Sequence, residues 1–208
     1  RQCWETDDAC MWVHAPSGES WFEYRLVAYI DFPLRHCLVP LHERDLIIKY
    51  QPVFTEPHRE IGPQGKHYAV VRTLSKILAF YIETIFELLR VSNYGYGFII
   101  ERALSEFNDT EHVHELPERP WWARRVSVDT KNLWLPAGGN QTGTFLVAVC
   151  RVQAGVSLRE QWIEYLMQQF APGILKNIRA GAELAMQAGS PWNQRLKRDA
   201  DGFYKEST

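Results

Sequence analysis

The last third of the chain constrains the fold most. An extended run over residues 122–150, broken by a Gly-rich turn, leads into a long one-sided helix expected to begin near Leu158. A sheet that hands over to one long apolar helix predicts a covered hollow. Ser157 is suited to cap the helix and Glu160 follows three residues later, so each can satisfy the other's orphan amide. Leu158, Trp162, Tyr165, Leu166, Phe170, Ile174, Leu175, Ile178, Ala182 and Ala185 then recur close to the 3.6-residue period, which marks one apolar face that has to bury. Pro172-Gly173 falls in the middle and predicts a kink, giving two rods with a bend.

Ahead of the helix, residues 124–130 alternate loosely and are rich in β-branched side chains, while residues 144–150 form a nearly continuous apolar run of strand length. Pro136-Ala137-Gly138-Gly139-Asn140-Gln141-Thr142-Gly143 lies between them and tolerates turns, so an antiparallel hairpin is the simplest connection. Residues 21–31 predict a half-buried strand with Phe22, Tyr24, Leu26, Ala28 and Ile30 on one side. A moderately amphipathic helix is expected in the middle of residues 34–50, with Pro40 limiting where it starts, and a short strand is expected around residues 58–61. Residues 66–90 are ambiguous: Ile77, Tyr81, Ile85 and Leu88 fit a helix, yet residues 84–91 can equally pair with residues 98–104. The hairpin is favoured, because Asn and Gly concentrate in the intervening Ser92-Asn93-Tyr94-Gly95-Tyr96-Gly97. Residues 105–120 read as a surface excursion.

With 208 residues, of which 46% are hydrophobic, the chain suffices for one well-filled domain. The organisation expected is an N-terminal extension over residues 1–20, the domain proper over 21–186, and a tail or linker over 187–208 in which Trp192, Phe203 and Tyr204 dock locally. Arg1 in place of an initiator methionine predicts a piece of something longer. A net charge of −2 offers no electrostatic reason to bind nucleic acid. The most apolar stretch, residues 77–82, is far short of the ~20 residues needed to span a bilayer. Cys3, Cys10, Cys37 and Cys150 have neither metal-site spacing nor disulfide density, so the default setting is reducing and intracellular.

The order of these pieces resembles the START (steroidogenic acute regulatory-related lipid transfer) domain family. The resemblance spans residues 21–185. It is carried by Trp121-Trp122-Ala123-Arg124-Arg125-Val126-Ser127-Val128, then Trp134-Leu135-Pro136, the strand at 144–151, and Val156-Ser157-Leu158 opening the last helix. A second piece, Glu43-Arg44-Asp45-Leu46 with Lys49-Tyr50-Gln51-Pro52, is similar to a stretch that follows the first strand in divergent members, with Tyr50 where Trp is usual. The Arg-Asp pair that many members carry on a middle strand is absent near residues 76–83. The resemblance implies an α+β helix-grip fold, a curved antiparallel β-sheet wrapped around a long C-terminal α-helix. It also implies an internal apolar cavity that holds one lipid or other hydrophobic small molecule.

Alternation along the strands offers Phe98 and Ile100, Arg124 and Val126, and Leu146 and Ala148 as inward-facing sets, with Trp162, Leu166 and Phe170 projecting from the helix. The same periodicity describes a solidly filled core, which for any single residue is the commoner case. One of Arg124 and Arg125 is expected to face inward, with Glu101 or Asp129 as partner, although a structural ion pair or plain solvent exposure is the more ordinary outcome. Glu111-His112-Val113-His114-Glu115 places two imidazoles on one side if extended, but the third zinc ligand is unidentified and a polar surface segment is the simpler reading. No catalytic motif is recognised, and no cofactor or metal is expected. The expected function is intracellular, cytoplasmic binding, transfer or sensing of a lipid, with transient membrane contact during exchange and Tyr94-Gly95-Tyr96-Gly97 as a mobile gate. A helix-grip enzyme using Arg124, Glu101 or a histidine on a hydrophobic substrate, and a ligand-free interaction module of a larger protein, are the rivals.

Overall fold

The expected hairpin forms: β9 (Ser127–Pro136) and β10 (Thr144–Gln153) run antiparallel in unbroken register, and β3 (Trp21–Ile30) lies on the other side of β10 in an equally long pairing. The structure is a computed structural model. It describes every residue except 62–64, 66, 78, 94–96, 106–117, 119, 139–141, 200, 201 and 205–208. Before β3 come β1 (Gln2–Thr6) and β2 (Ala9–His14). After it come α1 (Leu34–His42), a 3-10 turn (Arg44–Lys49), β4 (Arg59–Glu60), β5 (Tyr68–Ile77), β6 (Phe80–Asn93), β7 (Phe98–Leu104) and β8 (Ala123–Arg125). After β10 the chain forms α2 (Glu160–Met186) and α3 (Pro191–Lys197). The ten strands form one open sheet in the order β1-β2-β3-β10-β9-β7-β6-β5-β4, with β8 pairing parallel to β6 off that path. The long helix lies against this sheet, which is the helix-grip arrangement.

The ambiguous segment resolves as the hairpin, with Glu87 opposite Leu104 and Asn93 opposite Phe98. The strand expected over residues 124–130 is instead split at Val126, whose N–H leaves the ladder to donate to the Glu83 carbonyl (3.0 Å). That break lets β8 pair alongside β6 while β9 joins β7 and β10.

The helices begin and end differently from expectation. Gly155, at φ 68°, turns the chain off the sheet, and α2 starts at Glu160 with Arg159 as its cap residue and no side-chain cap, so the Ser157–Glu160 box does not form. The amides of Trp162 and Ile163 donate to the Arg159 carbonyl instead. Pro172 does not interrupt α2, because proline removes one amide while Met167 and Ala171 before it and Leu175 and Ile178 after it bury on the same core. Pro40 likewise sits inside α1, which starts at Leu34. Its ring approaches Gly181 so closely that a Cβ there would lie 3.0 Å from Pro40 and from the Tyr50 ring, which fixes where α2 crosses α1.

The first twenty residues supply two strands of the same sheet, with Met11 and Val13 fully buried. The described residues beyond 187 also dock. Ser190 caps α3 by accepting from the Asn193 N–H (3.1 Å), and Trp192, Phe203 and Tyr204, each 2% exposed, pack with Val39, Ile47 and Tyr50 into a second apolar cluster.

Candidate functional site

Because side chains alternate across a strand, the registers sort the sheet into two faces. One face carries the rows Ala28-Leu146-Trp134-Ile99-Ser92, Leu26-Ala148-Asn132-Glu101-Arg90 and Tyr24-Cys150-Thr130-Ala103-Leu88, each running across β3, β10, β9, β7 and β6. Leu26, Ala28, Ile99, Trp134, Leu146 and Ala148 from these rows pack with Ile163, Met167, Ala171 and Leu175 of α2, so this is the inner face. The outer face carries most of the charge, including Glu23, Arg25, Arg102, Asp129, Lys131 and Arg151.

The helix covers this inner face unevenly. Its principal neighbours are α1, α3 and β1 to β3. On that side Met11, Leu26 and Ala28 are closed off. Toward the other half of the sheet, Thr84, Phe86, Leu88, Ala103, Val128, Thr130 and Asn132 share the inner face yet are only half-buried. Strand β9 lies between β10 and β7, so this is no edge effect. At about 100° per residue, Leu166, Phe170, Ile174 and Asn177 form a stripe on the flank of α2 turned away from β1, and all four are half-buried.

Two polar groups interrupt the inner face. Glu101, 4% exposed, accepts from His42 Nε2 (2.5 Å) and from the Trp134 indole N–H (2.8 Å). Burial alone would raise the Glu101 pKa, but His42, Arg90 and the Trp134 N–H outweigh it and hold the carboxylate ionised, whereas burial drives His42 toward its neutral form. Arg90 lies 3.8 Å from the centre of the Phe203 ring, so the C-terminal segment caps this group. The second group is the Tyr24-Cys150-Thr130 row. The Thr130 hydroxyl donates to Cys150 Sγ (3.0 Å) and the Tyr24 hydroxyl lies against the same thiol. Burial pushes both the Tyr24 phenol and the Cys150 thiol up, so both keep their protons.

Leu146 and Ala148, expected to point inward, do so. Phe98 and Ile100 lie on the outer face, Ile100 being 42% exposed, and the inward positions of β7 are Ile99 and Glu101. Arg124 shares the inner side with Ile82 but is exposed at the end of the sheet beside Gly155, and Val126 is buried in the break between β8 and β9. Trp162 is 62% exposed and turned away from the core, whereas Leu166 and Phe170 lie on the half-buried flank of α2. The buried partner of Arg125 is Glu83, not Glu101 or Asp129: Glu83 is fully buried and accepts from Arg125 Nε (2.8 Å) and Arg72 Nε (2.7 Å), while Asp129 pairs with Arg102 and Lys131. Tyr24, Thr130 and Glu83 were missed as polar sites. Their registers alone reveal them.

His112, His114 and residues 94–96 lie outside the described residues, and among the described residues no group of metal-ligating side chains comes together. No described helix is long and apolar enough to cross a membrane. A cleft of about 470 Å³ lies outside the concavity, between Trp4 and Asp8 on one side and Pro172, Lys176 and Glu183 on the other. The Asp8–Arg179 ion pair spans it.

No protein-family model matches the chain, and no curated protein matches it by sequence. Solved structures are similar to it in fold. Human STARD10 is 14% identical over 100% of this chain and 81% of its own, with a TM-score of 0.72. Human StAR-related lipid transfer protein 5 is 14% identical over 90% of this chain and 88% of its own, also at 0.72. The Zhui aromatase/cyclase of Streptomyces sp. R1128 is 14% identical over 81% and 97%, at 0.51. The chain therefore has the START helix-grip fold.

Proposed function

We propose that this domain binds a lipid or similar hydrophobic molecule reversibly between the inner face of the sheet and the Leu166–Phe170 flank of α2, and carries or senses it without covalent chemistry. The observation that carries this reading is the half-burial of the inner residues of β6, β7 and β9, in the middle of a sheet whose other half is closed against α2. Apolar surface facing a concavity gains about 0.8 kcal/mol for each methylene a guest buries against it, so a long chain binds without any catalytic step. The name of one similar structure, a StAR-related lipid transfer protein, supports the same ligand class.

Exchange would take place where α2 leaves the sheet. At that end Phe80, Trp121 and Trp162 are 68%, 92% and 62% exposed, Trp122 stacks edge-on against Tyr81 (4.9 Å), and Arg124 reaches toward Gly155. Aromatic side chains beside cations suit a bilayer interface, which fits transient contact of a cytoplasmic protein with membranes. An enzyme of the same fold would need a free inner acid or base. Glu101, the inner carboxylate, is already bonded twice, which favours binding over turnover.

Native mass spectrometry of the purified protein followed by organic extraction tests the reading. A co-purifying lipid, or uptake from vesicles by delipidated protein, is the expected result. A folded protein that carries none and takes up none overturns it.

A further inference from the structure

The geometry points to a ligand whose one polar group is uncharged, a hydroxyl, seated on the Tyr24-Cys150-Thr130 row. This rests on the hydrophobic-ligand reading above and narrows its substrate class. The three side chains occupy one register position on three adjacent strands, so their polar atoms form a continuous ledge across the floor of the concavity. Tyr24 and Thr130 are half-buried on the inner face, and Cys150 between them is 4% exposed.

The chemistry of the ledge is neutral. Thr130 commits its proton to Cys150 Sγ (3.0 Å), and the Tyr24 hydroxyl bonds to the same thiol, so both present lone pairs. Together they offer two acceptors, to which a ligand hydroxyl can donate. A phosphate would need cations or several donors at its seat. Among the described half-buried residues of the inner face, Thr84, Phe86, Leu88, Ala103, Val128 and Asn132, none is charged. The cations of the neighbouring rows, Arg25, Arg102, Lys131 and Arg151, alternate onto the outer face. Arg124, on the inner side, is exposed at the end of the sheet beside Gly155, and Arg90, at the far end of the flanking Leu26-Ala148-Asn132-Glu101-Arg90 row, is 2% exposed and lies against the Phe203 ring.

Three pyrene-labelled probes of matched chain length test the assignment by fluorescence titration of the delipidated protein: a fatty alcohol, the corresponding alkane without the hydroxyl, and a phosphatidylcholine. The alcohol is expected to bind tighter than the alkane. Tyr24→Phe and Thr130→Val should each weaken the alcohol about 3- to 10-fold, the range of one neutral hydrogen bond, and leave the alkane unchanged. Unchanged alkane affinity also reports that the variants are folded. If the phosphatidylcholine binds tightly and the alcohol does not, or if the variants weaken alcohol and alkane equally, the ledge is no head-group seat while hydrophobic binding stands. If no probe binds the folded protein, the binding reading itself fails.

Discussion

Replacing Leu166 with Trp on α2 is expected to abolish lipid uptake at little cost in stability, while Ala171→Trp on the same helix should be strongly destabilising. The two positions are five residues apart, about 7.5 Å along the axis and about 140° around it. Ala171 is 0% exposed and packed into the cluster formed with β2, β3 and β10, so a Trp there has no room. Overpacking a filled site costs about 1–3 kcal/mol and sometimes more. At about 2–4 °C per kcal/mol for a chain of this length, that lowers Tm by roughly 2–12 °C. Leu166 is half-buried on the flank facing β6, β7 and β9. If that flank borders open space, the larger side chain occupies it, Tm stays within about 2 °C of the parent, and the volume is denied to a guest. Thermal unfolding followed by circular dichroism, with uptake of pyrene-labelled lipid measured on the same samples, reads both effects. Equal loss of Tm in the two variants would mean that the concavity is filled with protein. Undiminished uptake by a stable Leu166→Trp protein would mean that the guest, if any, lies elsewhere.

Glu83→Gln should destabilise by about 3–5 kcal/mol, because it leaves Arg72 and Arg125 facing a neutral amide in a fully buried site. Asp129→Asn, at the partly exposed Arg102 pair, should cost under about 1 kcal/mol, and equal urea midpoints for the two variants would refute the difference. Burial, with Arg44 nearby, pushes His58 down to about 4 from an ordinary 6.5. The unfolded chain therefore takes up that proton first, so stability is complete above pH 6.5 and falls by about 1–3 kcal/mol as pH drops toward 4. His58→Gln should flatten the fall in urea midpoint between pH 7 and 4.5, and an unchanged slope would rule His58 out as its source.

Local periodicity was enough to establish β3 and β10, the one-sided helix and, through Asn and Gly, the β6–β7 hairpin, because each is set by contacts close along the chain, whereas the strand expected over residues 124–130 broke at Val126. It was not enough to set phase. Phe98-Ile99-Ile100 is apolar at every position, so nothing in the run says which side turns inward, and a shift of one residue exchanges the faces. The register against Trp134 and Ser92 decided for Ile99. The partner of Arg125 was equally hidden, since Glu83 lies 42 residues earlier and reaches it only because β8 pairs with β6. The docking of Trp192 and Phe203 on α1 was foreseen only as a local contact of a tail, for a short charged segment gains its order from the surface it meets. Most of all, the half-burial of the inner residues of β6, β7 and β9 belongs to no single residue. It is the difference between the surface that the strands enclose and the part of it that α2 reaches, and only the folded chain holds both.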